Sequence, residues 1–181
     1  VRQRSVAGYV RRGISGANFL LARPDAAGLT LTPGTLKGRT SVTYRLRISP
    51  DGHSLAVCDD YSGLSLHETA TGNTLCEGNP AASFRTLTAF EWLTPHRLIG
   101  LGSTRARGNA DNEETIILWD APSGRVLHKQ VNASAMDCLA ILPGGKLFAE
   151  AGADRRVRIR DGATLEVQSD FRAHDRAITA L

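Results

Sequence analysis

One pattern returns along this chain at nearly even spacing, and it constrains the fold more than any other feature. Ile48, Trp92 and Ile141 each end the first apolar run of a unit, 44 and then 49 positions apart. Self-similarity at a fixed period outweighs local propensity, because each unit must bury its apolar face against the next. In the clearest copy Val42, Tyr44, Leu46 and Ile48 alternate with Thr43, Arg45 and Arg47, the period-2 mark of a half-buried strand. Ser49-Pro50-Asp51-Gly52 follows, where proline presets φ and glycine accepts positive φ, so a tight turn is expected. Leu55-Ala56-Val57 reads as a second strand and Asp59 to Ser62 as a loop. Leu64-Ser65-Leu66 reads as a third strand ending in His67-Glu68, and Ala70-Thr71-Gly72 turns the chain into Leu75.

The second copy runs through Phe90-Glu91-Trp92, Leu93-Thr94-Pro95 and Leu98-Ile99-Gly100. After a long loop, Ser103 to Glu114, it resumes at Ile116-Ile117-Leu118-Trp119-Asp120, Pro122-Ser123-Gly124 and Val126-Leu127. The third runs through Leu139-Ala140-Ile141, Leu142-Pro143-Gly144-Gly145, Phe148-Ala149, Asp154 to Asp161 and Ala163-Thr164. Upstream, Phe19-Leu20-Leu21 and Leu29-Thr30-Leu31 read as strands of a weaker copy. No stretch repeats apolar residues every three and four positions, so little helix is expected. The predicted fold is all-β, with about four four-stranded sheets. The units fall at 1–37 (weak), 38–78, 79–131, 132–172 and the start of another at 173–181.

These units resemble the WD-repeat β-propeller family, whose repeat of about 40–45 residues forms one four-stranded blade. The resemblance rests on Ser49-Pro50-Asp51-Gly52, Trp119-Asp120, the Asp154 to Asp161 segment and Phe171 to Ile178, with His174 four residues before an apolar strand. A hairpin-rich sandwich would also have short strands, but not the same turn residues at the same offsets. The resemblance covers 38–181 well and 1–37 poorly. It implies structural roles for Trp119, Asp120, Asp154, Asp161 and His174.

In this family a loop histidine, a strand serine or threonine, a turn aspartate and a tryptophan often form a buried hydrogen-bonded set. Here Ser83 stands at the histidine position upstream of Trp119, while Asn132 and Arg160 stand at the histidine and tryptophan positions of the Asp154 unit. His67-Glu68 stands where Trp-Asp is expected in the preceding copy, with Tyr61 at its turn-aspartate position. The blades are therefore expected to rely on apolar packing between sheets. Because a propeller closes only as a ring, the chain reads as part of a longer, closed one, and alone is not expected to behave as a well-folded monomer.

Chemistry is sparse. Gly100-Leu101-Gly102-Ser103 lacks the Lys-Ser/Thr of a phosphate loop, and no G-x-S-x-G elbow occurs. The five histidines (53, 67, 96, 128 and 174) are dispersed, with no pair at metal-ligand spacing. No catalysis, cofactor or metal is expected. Twenty-two basic against 18 acidic residues give a net charge of +4, yet the basic residues are scattered. Arg155 and Arg156 fall in a loop, Arg158 and Arg160 alternate with Val157 and Ile159, and no aromatic stacking partners accompany them, so no nucleic-acid site is expected. No apolar run approaches the roughly 20 residues of a membrane-spanning helix, and no membrane partner is expected. Cys58, Cys76 and Cys138 form no C-x-x-C pair, and three lone thiols suit a reducing, cytoplasmic compartment. Asn132-Ala133-Ser134 matches a glycosylation acceptor, a triplet that is common by chance.

The resemblance implies a scaffold that docks another protein or peptide, or a regulatory module serving other domains of the full-length chain. The alternative is a ligand-binding or enzymatic propeller whose active residues lie in blades outside this sequence. The resemblance also places the loops between second and third strands on one face with the links between blades. On that face Arg105 and Arg107, helped by Tyr61 and Arg155, are the candidate grip on a partner's carboxylates. The competing reading of the long loop is a tolerated insertion, since lengthening a loop costs little closure entropy.

Overall fold

In the computed structural model the backbone is described for residues 10–13, 16–25, 28–36, 43–59, 64–76, 84–105 and 112–181, and side chains for 45–58, 64–76, 84–104 and 113–181. The alternating runs become strands, each paired antiparallel with its neighbour in sequence. The first sheet holds β1 (Val10–Gly13), β2 (Gly16–Asp25) and β3 (Gly28–Leu36); the second holds β4 (Thr43–Ile48), β5 (Ser54–Asp59) and β6 (Leu64–Glu68). The third runs β7 (Phe84–Thr94), β8 (Arg97–Arg105), β9 (Asn112–Asp120) and β10 (Arg125–Asn132). The fourth runs β11 (Met136–Ile141), β12 (Leu147–Gly152), β13 (Arg156–Asp161) and β14 (Val167–Arg172). Among the described residues there is no helix.

Four strands are therefore present in the third and fourth sheets, and three in each of the others among the described residues. Beyond β6 the second sheet continues briefly, with Thr74 bridged to His67 and the Leu75 amide donating to the Leu66 carbonyl at 2.8 Å. The turn after β4 closes as its residues dictate: Gly52 takes φ 79° and its amide donates to the Ser49 carbonyl at 2.8 Å.

Packing between sheets makes the core. Ala56, Cys58, Leu64 and Leu66 of the second sheet meet Phe84, Leu87, Phe90, Trp92, Leu98, Ile117 and Trp119 of the third. On the other side Leu93, Ile99, Leu101, Ile116 and Leu118 meet Met136, Phe148 and Leu165 of the fourth. Phe84 and Trp119 stack edge to face at 5.8 Å. β7 packs against both β4 and β11, so the first strands of the three sheets lie together. Trp92 Nε1 donates to the Arg47 carbonyl at 2.9 Å, and Arg47 pairs with Glu91 across the same seam. All three cysteines are buried, and no disulfide joins them.

Ser103 to Glu114 is not one loop. Ser103, Thr104 and Arg105 pair with Glu114, Glu113 and Asn112, which lengthens the β8–β9 hairpin by three rungs. Buried Thr104 and Thr115 share a hydroxyl hydrogen bond of 2.9 Å inside it. Length in this hairpin is absorbed by strand pairing, leaving residues 106–111 as the connection, outside the described residues.

Gly102 permits the close pairing of β7 and β8, because a Cβ there would lie 2.0 Å from the Thr86 carbonyl oxygen. Gly102→Ala should therefore cost about 2–4 kcal/mol in urea unfolding. A loss below about 0.5 kcal/mol would contradict this packing.

Candidate protein-docking face

Backbone hydrogen bonds assign the loops to two ends of the sheets. At one end the Ala153 amide donates to the Ala135 carbonyl at 3.2 Å, and the Ile178 amide to Gly152 at 3.0 Å. The Ala173 and His174 amides both donate to the Arg155 carbonyl, at 3.1 and 3.4 Å. The turn between β12 and β13 thus lies with the links before β11 and after β14. At the opposite end the Thr69 amide donates to His53, Ala121 to His96 and Gly162 to Lys146.

Arg155 takes φ 68° at the tip of its turn, a left-handed conformation unusual for a side chain of its size. It is exposed, and its guanidinium makes no ion pair or hydrogen bond among the described residues. Its neighbours differ. Arg156 pairs with Asp170 at 2.7 Å, Arg158 with Asp154 at 2.5 Å, and Arg172 with Asp175 at 3.2 Å. Arg105 ends β8, with its backbone opposite Asn112, but its side chain lies outside the described residues, as do Arg107 and Tyr61.

Asp120 and Asp161 cap turns at the other end. Asp120 accepts from the Ser123 hydroxyl and amide, and the hydroxyl above all holds its carboxyl below the usual range. Asp161 accepts from the Thr164 and Ala163 amides at 2.9 and 2.8 Å, which lower it likewise. His174 is exposed, and its Nδ1 accepts from the Arg176 amide at 3.0 Å.

Strand register makes His67, Trp119 and Arg160 equivalent, opposite Leu55, Leu98 and Phe148. All three are buried, yet each solves the position differently. His67 bonds Ser65 Oγ through Nε2 at 2.7 Å and the Gly72 carbonyl through Nδ1 at 3.3 Å. Trp119 fits because Gly100 lies beneath it, where a Cβ would come within 2.7 Å of the indole; its buried Nε1 has no acceptor among the described residues. Arg160, 3% exposed, donates through Nε and Nη2 to Glu150 Oε1 at 3.2 Å, and Glu150 is 1% exposed.

Apolar packing between sheets is present as expected, but in the fourth sheet a polar set is added to it. There Asp154, Arg158, Glu150, Arg160 and Asn132 form a connected polar set. Burial pushes the Glu150 carboxyl up, while Arg160 and Arg158 pull it back, and its Oε2 has no hydrogen-bond partner among the described residues. Asp154 carries the cost of burial too, but bonds from the Arg158 side chain and the Arg156 amide hold it below the usual range. The available sign was Glu150 itself, the single charge in Leu147-Phe148-Ala149-Glu150-Ala151. Asn132 Oδ1 accepts from Arg160 at 3.0 Å and its Nδ2 donates to Met136 Sδ at 3.0 Å, so the amide nitrogen of the glycosylation triplet is already engaged. Among the described residues no three His, Cys, Asp or Glu side chains converge as metal ligands would.

The structure superposes on solved WD40 proteins. Against "Crystal structure of RRP9 WD40 repeats" the TM-score is 0.64 at 17% identity, covering 80% of this chain and 43% of that one. The fold is that of WD40 propeller blades. "Structure of U3-55K" gives 0.63 at 18% identity over 87% and 46%, and "Crystal Structure of Mitotic Checkpoint Complex" 0.65 at 15% over 96% and 48%. The chain spans less than half the length of each of these WD40 matches. No family sequence model and no curated protein sequence matches it.

Asp154, with its folded value lowered, contributes stability that is full above the ordinary value of 3.8 and is lost as pH falls toward the folded one. Asp154→Asn should cost about 1 kcal/mol at neutral pH, and the difference from wild type should vanish as pH falls below that range. A deficit independent of pH would remove the Asp154–Arg158 charge interaction from the account.

Proposed function

We propose that these blades belong to a non-catalytic docking propeller, a scaffold or regulatory module whose face at the β12–β13 turn grips carboxylates of a partner protein or peptide. The observation that carries this reading is Arg155, exposed at the tip of a turn fixed by the Ala173 and His174 amides, its guanidinium without an ion pair or hydrogen bond among the described residues, beside arginines that are paired. A guanidinium presented on a rigid turn suits bidentate capture of a carboxylate, and arginine is enriched at interface hot spots. The lengthened β8–β9 hairpin supports the same face, since it carries Arg105 at the end of its paired part and Arg107 in its connection. Other domains of the full-length chain fit as partners equally with separate proteins.

The experiment uses the full-length protein and a partner recovered with it by pull-down. Replacing 106–111 with Asp-Gly removes Arg107 while keeping the paired rungs and the buried Thr104–Thr115 contact, and Arg155→Glu reverses the second charge. Combined, they should weaken binding by about 100-fold or more and leave the thermal midpoint nearly unchanged. Unaltered affinity would assign the hairpin to a tolerated insertion and overturn the docking face.

A further inference from the structure

Arg160 reaches out of its own blade. Its Nη2 donates to Asn132 Oδ1 at 3.0 Å, and Asn132 is the last residue of β10, the outer strand of the third blade. Its Nη1 donates to the Leu165 carbonyl at 2.9 Å, in the turn between β13 and β14. Gln130, also on β10, faces the same groups: in the amide orientation that satisfies both of its atoms, the nitrogen donates to the Leu165 carbonyl at 3.1 Å and the oxygen accepts from Arg160 Nη1 at 3.0 Å. Glu150 balances the charge from within the fourth blade.

Leu165 completes the arrangement. It takes φ 65°, a left-handed conformation that a leucine rarely adopts. Its side chain is buried in the cluster shared with Leu93 and Phe148, while its carbonyl receives donors from both blades. A strained residue persists where surrounding contacts over-determine it, and here those contacts come from two sheets.

We propose that Arg160 is an interblade lock, holding outer strand β10 of the third blade in fixed register on the β13–β14 turn of the fourth. The inner strands β7 and β11 already pack together, so a second tie at the outer strands stops the two blades from fanning apart. The proposed docking face draws on both blades, so the lock also sets the spacing of its halves; that consequence rests on the docking reading, while the lock does not.

Amide hydrogen exchange in the full-length protein tests the lock without any partner. Gln130→Ala/Asn132→Ala leaves the Glu150–Arg160 pair intact and removes the side-chain partners of Arg160 on the third blade, together with the Asn132–Met136 contact. Glu150→Leu/Arg160→Met removes the guanidinium without leaving a buried charge alone. Both should speed exchange in 125–132 and 161–167 by about tenfold or more, with 97–102 and 115–119 unchanged. Exchange at the wild-type rate in Gln130→Ala/Asn132→Ala would overturn the proposal. So would acceleration spread evenly over β8 and β9, the mark of general destabilisation. If the Glu150→Leu/Arg160→Met variant does not fold, the first variant decides alone.

Discussion

β9 is buried on both faces, and the arrangement of the other sheets depends on it. Ile117 and Trp119 point into the core shared with the second sheet, and Ile116 and Leu118 into the core shared with the fourth. A strand in that position cannot alternate apolar with polar, which is why Ile116-Ile117-Leu118-Trp119 reads as an unbroken apolar run. Each fully buried large side chain contributes about 1.5–3 kcal/mol, and here those contributions exist only while both neighbouring sheets are present. The loops carry little of that burden and are free to present side chains such as Arg155.

Most of the architecture was legible because two signals agree along the chain. Alternation marked β4, and turn residues with the required backbone freedom, such as Gly52, marked where strands reverse. The third and fourth sheets match the expected four-stranded units. The extension of the β8–β9 hairpin is not legible, since Ser103 to Glu114 has no apolar alternation to betray strands. Its rungs are held by backbone pairing and one buried threonine pair, which polar sequences conceal.

The polar interior was harder to read, for a physical reason. A motif position can be filled by any group whose hydrogen bonds are satisfied, and the partners come from other strands. Arg160 at a tryptophan position looked like a loss; its compensation lies in Glu150, ten residues earlier, and in Asn132 and Gln130 of the preceding blade. Trp119 kept its residue type yet lost its partner, and Gly100 beneath it offers space but no hydroxyl. Arg155 was legible as a candidate by its loop position, whereas the pairing of Arg156, Arg158 and Arg172 beside it depends on acids that sequence spacing does not assign.

The third and fourth blades share one core and stand or fall together. A double-mutant cycle between Leu93 of β7 and Phe148 of β12, buried in the same cluster on opposite blades, tests it most directly. With both residues replaced by alanine singly and together, urea unfolding should give a coupling of about 1 kcal/mol or more. Losses that add to within about 0.3 kcal/mol would mean that the two blades do not share a core.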